Sequence, residues 1–218
     1  PTFFLMIIKK SFPFAILILL MTFYNRIDGV MLERILDNGE SEAGIYASAY
    51  RLLDASNMIA FLFAGLLLPI FSRMIKYNES INDLAIKSFS IIFILSINVS
   101  VLCFFFRKEL MGLMYHDHVV ESARVFGILM FCFIPISVSY IFGTLLTANG
   151  NLKQLNIIAA SGMLFNILVN FIIIPKYYAV GSAYVSLITQ TLTTIAQTIY
   201  AVYKFKIVFG VKFWRKLI

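Results

Sequence analysis

The sequence predicts an all-α polytopic membrane protein, a lobe of six transmembrane helices. Three observations lead there. Of its 218 residues 61% are hydrophobic and only 13% charged, whereas a soluble domain carries about a quarter charged residues. Several apolar runs exceed the roughly 18–20 residues needed to cross about 30 Å of hydrocarbon. No strand-like alternation of the kind a membrane barrel requires is present.

The spans fall at about 12–36, 44–75, 84–106, 122–147, 154–174 and 179–203. Pro13 opens the first, where a missing N–H costs nothing. Asp37-Asn38-Gly39 stops it, and Ser41 with Glu42 supplies capping and charge for the start of the second. Pro69 and Pro135 lie inside the second and fourth spans, where proline kinks a helix unless neighbours satisfy the freed carbonyl. Residues 107–121 form the longest outer loop. Asn149-Gly150-Asn151 makes a tight turn between the fourth and fifth helices, and Pro175 closes the fifth. The tail "KFKIVFGVKFWRKLI" (204–218) alternates basic with apolar residues and reads as a segment lying on the anionic cytoplasmic leaflet. The first apolar run is too long for a cleavable signal and lacks a small-residue cleavage site. A chain opening on Pro1 predicts a piece of a longer protein.

Basic residues set the orientation. Of 18 Lys and Arg, eleven fall on the side that holds both chain ends, among them Lys9, Lys10, Arg73, Lys76, Lys87 and Lys153. Five fall on the other side, and Arg26 and Arg51 lie within the membrane. The rule that basic loops stay inside places both ends in the cytoplasm and the acidic Asp37–Glu42 turn outside. The net charge of +7 therefore points to a lipid surface and not to nucleic acid.

The stretch "MTFYNRIDGVMLERIL" (21–36) raises the central question, because it carries Asn25, Arg26 and Asp28 inside a span. A charge at mid-membrane costs at least ~2.5–3.5 kcal/mol, so it faces a partner or a polar cavity. The short turn makes the first two helices antiparallel neighbours. Asp28 lies eight residues before the end of the first, and Arg51 seven after Gly44 in the second. Arg26 and Asp54 are each ten residues from the same landmarks. At about 1.5 Å per residue each pair lies roughly 10–15 Å below the outer surface, and this match permits two ion pairs, Asp28–Arg51 and Arg26–Asp54. Arg51, Asp54, Asn57 and Met58 share a face, and Asn25 shares one with Asp28.

Two readings follow. Either the charges lock a helical hairpin, or they line a cavity where arginine forks bind an anionic substrate such as a phosphate. The candidate binding residues are Arg26, Arg51, Asn25 and Asn57, with Asp28 and Asp54 as ion-pair or ion-coupling groups.

Other polar residues are milder. Asn98, Asn156, Asn166, Asn170 and a helix-6 row of Gln190, Thr193, Thr194 and Gln197 fit interhelical hydrogen bonds. Cys103 and Cys132 fall in spans and read as packing residues. His116 and His118 flank Asp117 in the outer loop and lack the further ligands a metal site needs. No phosphate loop, nucleophile triad or glycosyl-transfer carboxylate pair is evident, so neither enzyme, cofactor nor metal is expected. A polymerase or ligase would need a larger outer loop, and in a purely structural subunit the charges would only hold helices together.

The run "YNRIDGVMLERIL…ESEAGIYASAYRLLDASNMIAFLFAGLLLPIFSRM" (24–74) resembles the opening of the second half of bacterial polysaccharide flippases. These are O-antigen-type members of the multidrug/oligosaccharidyl-lipid/polysaccharide exporter superfamily. The shared features are the Asp of the first helix, Gly44-x-Tyr46-x-x-Ala49, the Arg51–Asp54 segment and Leu68-Pro69-x-Phe71-Ser72. The run "LLTANGNLKQLNIIAASGMLFNILVNFIIIPKYYAVGSAYVSLITQ" (145–190) is similar too, with a small-residue turn, an Asn-rich helix, Pro, and Gly-x-Ala-x-x-Ser. The resemblance implies two six-helix lobes around a central cavity, of which this chain is the C-terminal one, without its N-terminal partner. It also implies movement of an undecaprenyl-diphosphate-linked oligosaccharide across the bacterial inner membrane by alternating access, coupled to an ion gradient. Arg26 and Arg51 would then meet diphosphate or acidic sugars. A multidrug or organic-cation antiporter of the same superfamily is the alternative. Arginine in the cavity argues against it.

Overall fold

The computed structural model describes residues 2–208, with the side chains of 2–6, 10, 24 and 25 excepted. Six helices follow one another: α1 (Thr2–Ile35), α2 (Gly39–Lys76), α3 (Asn82–Phe105), α4 (Arg107–Met114), α5 (Val119–Ala148) and α6 (Leu152–Phe205). Two of them are broken. Within α1, Ser11–Phe23 and Arg26–Ile35 meet at 45°. The 54 residues of α6 are interrupted at Tyr178, whose backbone is non-helical (φ 52°, ψ −145°). Its two segments, 152–177 and 179–205, are each long enough to span a bilayer. Among the described residues this gives six segments long enough to span, in α1, α2, α3, α5 and the two parts of α6, with α4 as a short extra helix.

The middle of the lobe is α5. It packs against α2, α3, α4 and α6, while α1 lies chiefly on α6 and α2. The most apolar stretch of α5 is 61% buried, against 22% for those of α2, α3 and α6. Helices that are apolar yet mostly exposed present side chains such as Leu66, Leu102, Phe105 and Leu164 outward, as lipid-facing helices do. Hydroxyl-to-backbone bonds tie α5 to its neighbours. Ser100 Oγ donates to the carbonyl of Met130 (2.6 Å) and Thr194 Oγ1 to that of Pro135 (2.9 Å). The second bond steadies α5 at its proline.

The turns have local causes. At Gly39 a Cβ would overlap the backbone carbonyl of Glu33, so only glycine lets α2 start this close to the end of α1. Gly150 takes φ 76° in the α5–α6 turn, a conformation side chains disfavour. Contrary to the expectation for Ser41 and Glu42, no side chain caps the start of α2. The Glu42 carboxylate instead accepts the backbone N–H of Ala179 (3.0 Å). It thus caps the second segment of α6, where an acidic group meets the positive end of a helix.

Three other expectations change. Pro13 does not open its helix, which begins at Thr2 and carries the proline in its interior. Pro175 does not end its helix, which runs on to the break at Tyr178. The 107–121 stretch is not all loop, because α4 occupies its first half. Arg107 stacks 4.4 Å over the Phe104 ring and donates to the Phe104 carbonyl (2.7 Å). Fully buried Met111 anchors this helix. The interfacial tail expected over 204–218 lies, from residue 209 onward, outside the described residues.

Candidate functional site

Asp28 is buried, with 2% of its surface exposed, and Arg51 is not its partner. The carboxylate accepts hydrogen bonds from Tyr46 Oη of α2 (2.8 Å), from Ser186 Oγ in the second segment of α6 and from Asn170 Nδ2 in the first (2.7 Å). Asn170 Nδ2 also reaches Asn166 Oδ1 (3.1 Å), and the Tyr46 and Ser186 hydroxyls lie 3.1 Å apart. Four chain segments thus converge on one carboxyl. The Asp28–Arg51 ion pair fails for an angular reason. Tyr46 and Arg51 are five residues apart, roughly 140° around a helix of 3.6 residues per turn. A carboxylate held by one of them faces away from the other.

The second ion pair forms. Arg26 Nη2 lies 3.1 Å from Asp54 Oδ2, with the two side chains 66% and 40% exposed. Such exposure makes it a weak clasp on stability grounds. Arg26 and Asp28 point to opposite sides of α1, since two residues turn the helix by about 200°. The Arg26 guanidinium also sits 5.6 Å above the ring of Tyr50. Among the described residues this is the single ion pair, and Arg51 has no acidic partner.

Arg26, Arg51, Asp54 and Asn57 line one cavity of about 760 Å³, together with Tyr140 and Gln190 among others. The structure therefore brings together three of the four candidate binding residues. Asn25 is the fourth, and its side chain lies outside those described. Phe61 and Tyr140 form an edge-to-face aromatic pair on the cavity wall (centroids 6.1 Å apart). The helix-6 polar row divides. Gln190, Thr193 and Gln197 line the cavity. Buried Thr194 bonds to the Pro135 carbonyl, and Gln197 exchanges hydrogen bonds with Ser139 (2.7 and 2.9 Å).

A second, much smaller space of about 10 Å³ is lined by Asp28, Tyr50, Cys132, Ser186 and Gln190 among others. It has room for about one water-sized particle. Nearby, Asn170 Oδ1 and Ser182 Oγ are buried without hydrogen-bond partners among the described residues. Reading the spans singly missed this cluster. A signal was present in the spacings, because Asn166 and Asn170, like Ser182 and Ser186, are one turn apart and share a face.

Residues 2–75 match the sequence model of a family described as "Polysaccharide biosynthesis protein". A search of curated protein sequences finds no match. Solved structures are similar over nearly the whole chain. One is a MOP superfamily transporter from Pyrococcus furiosus, whose binding pocket is described as having reverse polarity that suggests a different function. It shares 18% identity at a TM-score of 0.75 over 97% of this chain and 49% of its own. An outward-facing multidrug resistance MATE family transporter of the MOP superfamily gives the same four values. A MATE protein in the bent conformation shares 18% identity at a TM-score of 0.73, over 90% of this chain and 44% of its own. The chain spans about half the length of these structures. It is a multi-pass membrane protein whose fold is similar to about half of these transporters, and its first third matches the polysaccharide biosynthesis family model.

Proposed function

We propose that this lobe is the C-terminal half of a transporter that moves an undecaprenyl-diphosphate-linked oligosaccharide across the bacterial inner membrane by alternating access, for surface polysaccharide synthesis. The observation that carries the reading is the charge of the large cavity. Two arginines face one carboxylate there, and Arg51 has no ion-pair partner among the described residues, which leaves its fork for a ligand. A guanidinium pairs bidentately with phosphate oxygens, and the Phe61–Tyr140 wall offers an apolar face to a sugar ring. The family match over residues 2–75 supports the polysaccharide side of the reading. The reverse polarity described for the pocket of the Pyrococcus furiosus transporter supports a fold whose pocket polarity varies. A second lobe closes the exposed side of the cavity, where Arg26, Arg51, Met58 and Phe61 are solvent-accessible.

Asp28 takes the coupling ion in this reading. Its surroundings offer oxygen donors from a carboxylate, an amide and two serine hydroxyls, the kind of ligand hard cations prefer. The cluster sets one carboxylate among neutral hydroxyl and amide groups, a charge that suits a proton or a monovalent cation better than a divalent one.

The test is reconstitution of the full-length gene product in liposomes with undecaprenyl-diphosphate-linked oligosaccharide in one leaflet. Protein-dependent appearance of the glycan in the other leaflet is expected. The multidrug alternative keeps support from the MATE structures. Uptake of a fluorescent organic cation without any glycan movement would replace the present reading with it. Orientation is tested separately. With single cysteines at Glu40 and Lys153, an impermeant thiol reagent on intact cells is expected to mark position 40 and miss position 153. The reverse labelling would invert the scheme.

A further inference from the structure

We infer that Tyr50 is a positioning residue that couples the Asp28 cluster to Arg26, the ion-paired arginine of the large cavity. The inference rests on reading Asp28 as the ion site.

A continuous stack of groups joins the two. Tyr46 donates its hydroxyl to Asp28 Oδ2 at 2.8 Å. Its ring lies against that of Tyr50, with centroids 5.8 Å apart and planes 25° from parallel. Tyr50 carries the Arg26 guanidinium on its ring at 5.6 Å, within the distance at which a cation is attracted to an aromatic face. Arg26 reaches Asp54 at the cavity wall. Tyr50 therefore touches both sides. It lines the small space beside Asp28 and supports a cation of the large cavity. It is itself buried, with 6% exposed, so it cannot shift without moving what lies on it.

The direction of coupling follows from the chemistry of the Asp28 cluster. An ion arriving at the carboxylate competes with the donors that now satisfy it, and the Tyr46 hydroxyl is one of them. A Tyr46 ring that turns away from Asp28 alters the face on which Tyr50 rests. The Arg26 guanidinium then changes its share between Tyr50, Asp54 and an incoming anion. The α1 backbone alone does not supply this link, because Arg26 and Asp28 point to opposite sides of that helix. Among the described residues the titratable groups facing the cluster are Tyr46 and Tyr50 of α2 and Cys132 of α5, with the Arg26–Asp54 pair beyond Tyr50.

The experiment measures the affinity of farnesyl diphosphate, a short polyprenyl diphosphate, for the full-length gene product in nanodiscs. It compares sodium with choline, and pH 8 with pH 6, so that a cation and a proton are told apart. In the wild type the affinity is expected to differ by about fivefold or more between the two states of one of these ions, the usual lower range of coupling between sites. Tyr50→Phe keeps the ring and is expected to keep that ratio. Tyr50→Met keeps reach but has no π face, and its ratio is expected to fall below about twofold while diphosphate still binds. Tyr46→Phe provides an independent cut, since it retains the ring and removes the bond to Asp28, and the ratio should fall there too. A wild-type ratio in Tyr50→Met or in Tyr46→Phe overturns the role given to Tyr50. A wild type whose affinity ignores both ions overturns the reading of Asp28 instead, and the coupling with it.

Discussion

Arg51→Glu in the full-length gene product is expected to abolish export of lipid-linked glycan while the protein remains folded in the membrane. Arg51 is exposed to the cavity and has no ion-pair partner among the described residues, so replacing it strands no buried group. What changes is the ligand site. A charge-assisted hydrogen bond contributes about 1.5–3 kcal/mol, which corresponds to roughly a tenfold to hundredfold loss of diphosphate affinity on simple removal by Arg51→Gln. Reversal adds repulsion to that loss. Arg51→Lys restores the charge but not the planar fork and should fall between wild type and Arg51→Gln. Farnesyl diphosphate binding and glycan export, read beside membrane protein level, check this series. Wild-type export by Arg51→Glu would remove the anion-binding role from this side chain.

Asp28→Ala is expected to act in the opposite way, lowering stability as well as transport. The substitution removes the acceptor for Tyr46, Ser186 and Asn170 at once. A buried donor left unsatisfied costs about 1–3 kcal/mol. The loss is held to about 2–4 kcal/mol in total, because Tyr46 and Ser186 lie close enough to bond each other and Asn170 keeps Asn166. Thermal unfolding in detergent should show a lower midpoint, and membrane levels should drop. Adding Arg51→Asp to Asp28→Arg should not repair the defect, because the two side chains face different ways. A swapped protein at wild-type level would contradict the arrangement seen here.

Much of the architecture follows from one-dimensional facts. Span lengths, interhelical turns and the acidic first turn of α2 are properties of short stretches. So is depth. Residues counted from the turn between the first two helices place Arg26 level with Asp54, and the pair forms at 3.1 Å. The same count places Asp28 level with Arg51, and no pair forms. The two cases have equal depth and differ in rotation about the helix axis. Two of the residues that hold Asp28 stand in the motifs of the family resemblance, Tyr46 in Gly44-x-Tyr46-x-x-Ala49 and Ser186 in Gly181-x-Ala183-x-x-Ser186. Their positions in the sequence carry no hint that they meet.

The sequence by itself determined that this chain lives in a membrane, that it crosses as helices, and that its first two spans carry charges needing partners. Each of these depends on hydropathy, length and the cost of burying a charge, which are additive along the chain. Only the tertiary structure decided which partners those are. Asp28 and Ser186 are 158 residues apart, and their meeting depends on how four segments rotate and pack against one another. The break at Tyr178 belongs to the same class, since it is stabilised by Glu42 reaching across from α2 to Ala179. Depth in a bilayer is legible by counting. The direction a side chain faces is set by neighbours that come from elsewhere in the chain.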